Sequence, residues 1–279
     1  MLIDHQETPV LLLLFNRPDT TAKVFEAIRQ ARPKRLYIAA DGPRNDREAK
    51  KCRAAREIAT NIDWECKHVT LFSNKNQGCQ KAMSNGIMWF FEHEPEGIIL
   101  EDDCVPHPSF FNFCTTLLKK YRNDDRIGHI GGANLQLGRR RGNASYYFSK
   151  LTHVWGWAGW RRIWKEYDVK MRAFPDFKAK DYLRQIPVHN ERATSWLHVF
   201  EQTYAGNIDS WAYPYAFLNL TSHRLSIIPN ENLISNIGFG EEATHTKETT
   251  HAFASLPTNA IGEITHPPFV VPDLEADRF

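Results

Sequence analysis

Several things are missing from this 279-residue chain. No apolar run is long enough to cross a bilayer. The strongest one near the N-terminus, PVLLLLF at residues 9–15, falls well short of the ~20 residues a span needs and has no basic stretch before it. Neither a membrane helix nor a secretory signal is expected. Cysteine is sparse and odd in number: Cys52, Cys66, Cys79, Cys104 and Cys114 are scattered, with no zinc or redox spacing. They read as the reduced thiols of a cytosolic protein. Neither sign of charge dominates; a formal net charge of +2 speaks against nucleic acid as the main partner. There is no P-loop and no Gly-x-Gly-x-x-Gly fingerprint, which disfavours a nucleoside triphosphatase or a dinucleotide dehydrogenase. Repeats, low-complexity stretches and clear linkers are lacking too, so one domain over 1–279 is expected.

Aromatic residues, by contrast, are plentiful. Core and pocket lining are the expected use of them, and a peripheral contact with a membrane surface is the alternative. The first third of the chain alternates two kinds of segment. Residues 10–15 read as a strand apolar on both faces, as parallel sheets require. RPDTTAKVFEAIRQA follows as a helix opened by Pro18 and Asp19. RLYIAADG, HVTLFSN and GIILEDD read as further strands, with REAKKCRAAREIATNI and CQKAMSNGIMWFFEHEP as the helices between them. This alternation predicts an α/β fold: a mostly parallel sheet flanked by helices and joined by right-handed crossovers. Residues 1–108 form one half, 109–250 the other, and 251–279 an extended tail wrapped over the surface. In the second half, SFFNFCTTLLKKYRNDD reads as a helix, RIGHIGGANL as a strand, and residues 193–204 as a helix. The Trp-dense YYFSKLTHVWGWAGWRRIWKEYD gives no regular period.

Open α/β sheets bind ligands at the carboxyl ends of their strands. Here the four ends are FNRP with Arg17, ADG with Asp41, Asn74 followed by NQGCQKA with Gly78, and the triple Glu101, Asp102 and Asp103. Strand ends are polar partly because loops are polar, but three carboxylates against an apolar strand need more explanation. Adjacent carboxylates repel and lose hydration on burial. A hard cation, Mn²⁺ or Mg²⁺, would relieve both, taking one or two carboxylate oxygens and filling its shell with water or phosphate oxygens. The competing reading makes the triple a helix cap, which Pro106 and Pro108 permit. If strand alternation persists, Glu101 and Asp103 share one face and Asp102 the other. Arg17 suits a bidentate phosphate contact or an ordinary ion pair. Asp41 suits an N–H or ribose hydroxyl donor, and Gly78 allows close approach of backbone at a helix start.

Taken in order, FNRP, AADG, NQGCQKA and EDD resemble the strand ends of GT-A glycosyltransferases, Rossmann-like enzymes that use nucleotide-diphosphate sugars. The Glu-Asp-Asp form is similar to that of N-acetylglucosaminyltransferases. HVWGWAGWRRIWKEYD and NLISNIGFGEEATHT resemble a bacterial group of nucleotide-diphospho-sugar transferases. The resemblance runs from Pro9 to about Thr246. It implies a metal held by Asp103 and by His245 of ATHT, and a donor contacted by Arg17, Asp41 (at the base), Asn74, Gly78, Glu101 and Asp102. It also implies a C-terminal acceptor-side extension, a glycan or lipid-linked glycan acceptor, and a cytoplasmic place, with peripheral contact at the inner membrane left open. UDP is the expected nucleotide. Inverting transfer needs a carboxylate base. Asp209 of GNIDSW stands where inverting relatives carry it, with capping of the following helix as its alternative. Glu201, Asp168 and Glu166 are rivals. Trp155, Trp157 and Trp160 suit a stacking wall for a sugar, with core packing as the competing role. His153 and His223 stay open between structural and functional roles, and Arg139, Arg140 and Arg141 between a lid over the diphosphate and a solvated run.

Overall fold

Five consecutive apolar residues form β1, Val10–Leu14, and every one is buried. A strand hidden on both faces must lie inside a sheet covered by helices, and the computed structural model, which describes residues 4–186, 190–239 and 252–279, shows this. Pro18 and Asp19 open α1, Pro18–Ala31, which buries Val24, Phe25 and Ile28 at helical spacing. The chain returns as β2, Arg35–Ala40, crosses by α2, Asp46–Thr60, to the exposed edge strand β3, Lys67–Phe72, and comes back through α3, Cys79–His93, to β4, Glu96–Glu101. β1 pairs in parallel with β2 on one side and β4 on the other. The strand order therefore reverses at β1, and the crevice outside the carboxyl ends of β1 and β4 is the switch point of the sheet.

Beyond β4 come β5, Cys104–Pro106, α4, Ser109–Lys120, β6, Ile127–Gly131, and β7, Tyr146–Ser149. The Trp-rich segment resolves into β8, Trp157–Trp160, and α5, Arg161–Trp164. Helices α6, Phe174–Ala179, α7, Asn190–Tyr204, and α8, Ala212–Thr221, lead to β9, Leu225–Pro229, β10, Ile234–Asn236, and the terminal α9, Leu274–Arg278. The main sheet has the order β3-β2-β1-β4-β8-β6-β9-β7. β8 runs antiparallel to both β4 and β6, and β7 antiparallel to β9; the remaining pairs are parallel. The expected mostly parallel sheet flanked by helices is thus observed. β5 and β10 form a separate antiparallel ribbon.

Trp157 and Trp160 are core residues, so of the two roles considered for them core packing holds and the sugar-stacking wall does not. Trp157 lies among His129, Trp164, Trp211 and Tyr215, and Trp160 is buried with its Nε1 donating to the Leu118 carbonyl at 3.3 Å. Only Trp155 is partly exposed, edge-on to Phe239. A second apolar cluster, including Phe174, Phe177, Phe200 and Phe217, lies under α6 to α8. Residues 252–279 run mostly without regular structure and end in α9. No helix of the described residues is long and apolar enough to cross a membrane.

Candidate active site at the carboxyl ends of the strands

The loop between β1 and α1 is only three residues long, so Arg17 leaves the strand end directly. Its Nη2 lies 2.6 Å from Asp102 Oδ1 and 2.9 Å from Asp103 Oδ2. Asp102 Oδ2 accepts the Phe15 amide at 3.0 Å. Strand alternation does not persist past Glu101: the chain turns at residues 102–103, and both aspartates converge on one guanidinium instead of facing opposite ways. Nor does the triple cap a helix. β5 follows it at once, and α4 starts only at Ser109.

Two of the three carboxylates are nearly out of water, and one cation faces all of them. Burial works against the Arg17 charge, but Asp102 and Asp103 together outweigh it and hold the guanidinium firmly protonated. Burial, with Asp103 and Asp102 adding their negative charge, pushes the Glu101 carboxyl above the ordinary carboxylate range. Asp102 moves the same way through burial, against the pull of Arg17. The cluster carries more acid than its single arginine neutralises, which is the electrostatic setting a divalent cation relieves. The donor set is all oxygen and suits Mn²⁺ or Mg²⁺. The described residues contain no group of three His, Cys, Asp or Glu side chains arranged to enclose an ion. A metal here fits as a partial shell, with Asp103 giving oxygen and phosphate or water completing it.

The second wall of the crevice comes from a distant stretch of chain. β10 pairs with β5, and the Ile237 amide donates to the Asp103 carbonyl at 2.9 Å. Asn236 Oδ1 accepts the Gly238 amide at 2.8 Å, closing a tight turn. Gly238 then sits so near Asp103 that a Cβ would lie 2.0 Å from its Oδ2. The NLISNIGF segment therefore meets the acidic triple. His245 and Gly240 lie outside the described residues.

Asp41 and Gly78 belong to one knot. Asp41 Oδ1 accepts the Gly42 amide at 2.7 Å and the Gln77 amide at 2.9 Å, while Oδ2 takes Asn76 Nδ2 at 2.9 Å. Burial raises the Asp41 pKa, and these amides oppose it. Asn74 stands exposed outside the knot; Asn76 and Gln77 make the contacts. The sequence carried the signal for this in the polar run NKNQG but gave no means of ranking its members. Gly78, at φ 85°, a conformation natural to glycine, leads into α3. There Asp209 arrives from far along the chain: its carboxylate accepts the amides of Cys79 and Gln80, each at 2.9 Å. Asp209 thus caps α3 and not α8, whose first turn is met by Ser210 Oγ instead. Of its rivals, Glu166 pairs with Arg224, Asp168 with Arg172 and Glu201 with Lys178.

The arginine run lies at the β7–β9 edge. Arg139 stacks over Phe279, Arg140 pairs with Glu231, and Arg141 bonds Gln136. None of these contacts reaches Arg17 or Asp103. The Nε2 of His129, a buried residue that sequence reasoning passed over, bonds the His153 carbonyl at 2.8 Å.

No family model matches the chain, and no curated protein matches it in sequence. Among solved structures, an apo UDP-glucose pyrophosphorylase is 10% identical with a TM-score of 0.40, over 79% of this chain and 90% of its own. The galactosyltransferase LgtC, in complex with donor and acceptor sugar analogues, is 10% identical with a TM-score of 0.33, over 61% and 65%. HddC from Yersinia pseudotuberculosis is 10% identical with a TM-score of 0.36, over 57% and 80%. At this degree of likeness, activity is a matter for the site's own residues.

Proposed function

We propose that the chain is a metal-dependent GT-A glycosyltransferase that moves a sugar from a nucleotide diphosphate, UDP foremost, to the hydroxyl of a glycan or lipid-linked glycan, with inversion, in bacterial surface-glycan synthesis. One observation carries the reading: at the switch point of the sheet, Arg17, Asp102 and Asp103 converge under the Gly238 turn. An anionic diphosphate finds there both a guanidinium and an oxygen-ligand cluster that wants a cation. When bound, Mn²⁺ or Mg²⁺ supplies Lewis-acid stabilisation of the departing diphosphate. Asp103 gives it an oxygen, and His245 is the second proposed ligand. Arg17, released from part of its ion pairing, takes phosphate oxygens. The Asp41 knot and Gly78 border the nucleoside, with Asn74, Glu101 and Trp155 as further proposed donor contacts.

In this reading the acceptor oxygen attacks the anomeric carbon, the bond from that carbon to the diphosphate oxygen breaks, and the hydroxyl proton passes to Asp209. Each Asp209 oxygen accepts one amide bond and keeps a second lone pair. The pairing with Cys79 and Gln80 fixes it beside Gly78, whose Cβ position lies 3.2 Å from Oδ2. A sugar nucleotidyltransferase is the rival. Such an enzyme needs a Gly-rich, basic loop after β1 to hold a triphosphate, and the three residues Phe15, Asn16 and Arg17 leave no room for one.

The test is product analysis on a panel of nucleotide sugars with Mn²⁺. Release of nucleoside diphosphate, coupled to glycan transfer or slow hydrolysis, supports the reading. Formation of nucleotide sugar from a triphosphate and a sugar 1-phosphate, with pyrophosphate released, refutes it. Asp209→Asn separates the base from a cap: a base predicts retained donor affinity with turnover lost, whereas turnover near wild type places the base elsewhere.

A further inference from the structure

The ribbon of β5 and β10 is short, and two strands alone are marginal in water. Something else must hold β10 where Gly238 meets Asp103. Leu233 and Ile234 are buried in the core and the Leu233 amide donates to the Gly132 carbonyl at 3.0 Å; the other partner is the C-terminal segment. The Ser255 amide donates to the Asn236 carbonyl and the Asn259 amide to the Asn232 carbonyl, each at 2.9 Å. Asn232 Nδ2 reaches the Pro257 carbonyl at 3.0 Å, and the Ile261 amide reaches Ser109 Oγ at 3.1 Å.

From there the chain crosses to the edge strand β7. Thr265 and Ser145 exchange bonds: the Ser145 amide donates to the Thr265 carbonyl at 3.1 Å, and the Thr265 amide to Ser145 Oγ at 2.9 Å. Tyr146 Oη lies 3.0 Å from His266 Nδ1. Pro272 bridges Phe148, and the Asp273 amide donates to the Phe148 carbonyl at 2.8 Å. The end is locked by α9. Its Asp277, 5% exposed, accepts Ser149 Oγ and, at 2.9 Å, the Lys150 amide, and Gln136 Nε2 donates to the Ala276 carbonyl at 3.1 Å. The Asp277 carboxylate is thus buried with a hydrogen-bond donor at each oxygen, as a buried charge requires.

We propose that residues 252–279 form a strap, locked at α9 by Asp277, which holds the β10 turn against Asp103 and so sets the geometry of the donor crevice from the β7 edge of the sheet. Asp277 is a positioning residue. It touches no part of the crevice and acts through the strap, Asn232 and Asn236. The inference rests on the reading of the Asp103 cluster as the donor site for its consequence, but not for its mechanics.

The experiment uses the full-length Asp277→Asn and Ser149→Ala variants, the second being the milder loosening should the first fail to fold. Hydrogen exchange is followed in 232–239 and in 144–150, well below the melting temperature, alongside calorimetric titration with UDP and Mn²⁺. The strap predicts that exchange in 232–239 rises about tenfold together with that in 144–150, since local opening spreads along the bonded segment. It also predicts that UDP affinity falls about tenfold. Exchange that rises at 144–150 alone, with 232–239 and UDP affinity at wild-type values, overturns the proposal. If the wild type binds no nucleotide diphosphate, the donor-site reading fails, and the exchange pattern still decides the strap.

Discussion

Replacing Gly238 by alanine adds one methyl group at the most crowded point of the crevice. The new Cβ would lie 2.0 Å from Asp103 Oδ2, 2.7 Å from its Cγ and 2.8 Å from its Cβ. Ordinary contacts between heavy atoms are ~3.5 Å, so some group must move by more than ~1 Å. The turn is held by the bonds from Gly238 to Asn236 and from Ile237 to Asp103, and the carboxylate by Arg17 at 2.9 Å. Either the turn lifts or Asp103 rotates away from Arg17. Losing one hydrogen bond or metal contact made by a charged group costs ~1.5–3 kcal/mol, or about ten- to a hundredfold in affinity. The folded state loses only the ~1–3 kcal/mol typical of overpacking. The backbone at Gly238 is one alanine adopts freely, so strain does not confuse the result. Titration calorimetry with UDP and Mn²⁺ reads the loss, and Gly262→Ala, with nothing within 4 Å of its Cβ position, is the silent control. Wild-type affinity in Gly238→Ala would refute the role given to Asp103 and the turn above it.

Three further predictions concern the groups beneath and beside the crevice. Arg17→Met leaves buried Asp102 without its cation and should destabilise the chain by ~3 kcal/mol in urea unfolding, with part of the loss recovered on adding Mn²⁺; no loss would mean that the ion pair is idle. Asp209→Ala uncaps α3 and should cost ~1–2 kcal/mol, read in the same assay, and an unchanged midpoint would show the two amides satisfied by water. Burial pushes the His129 pKa down to about 3, against an unfolded value of ~6.5. The unfolded chain therefore binds the extra proton: the His129 contribution is complete above pH ~6.5 and lost at ~1.4 kcal/mol per unit as pH falls towards 3. By pH 5 the loss is ~2 kcal/mol, and His129→Leu should flatten the slope of stability between pH 7 and 5 relative to wild type; an identical slope would exclude the residue.

The half of the fold that carries β1 to β4 could be read because each strand is a short run bounded by turn residues and separated by helices with apolar stripes. β7 and β8 could not. WGWAGW is apolar on both faces, and periodicity cannot distinguish a buried strand from a buried helix over so few residues. Only pairing with β4 and β6 makes it a strand. At the site, Arg17, Asp102 and Asp103 were legible as neighbours because parallel strands bring their carboxyl ends together. Their convergence on one side was not, since it depends on where β4 stops. Asn76 could not be preferred to Asn74 without the Asp41 knot that selects it. The capping of α3 by Asp209 joins it to Cys79, 130 residues away in sequence, and no local signal records such a bond. Trp157 and Trp160 suited a sugar wall because composition does not show that both faces of β8 are covered.

The central claim is that the acidic end of β4 is a metal–diphosphate clamp. It is tested most directly by thermal unfolding of the wild type and of Asp103→Asn with UDP, GDP, CDP and TDP, each with and without Mn²⁺. A ligand that binds only the folded chain raises its melting temperature. The account predicts a strong shift with one nucleotide, UDP foremost, that requires Mn²⁺ and vanishes in Asp103→Asn although that variant remains folded. A shift independent of the metal, or one retained in Asp103→Asn, would contradict it.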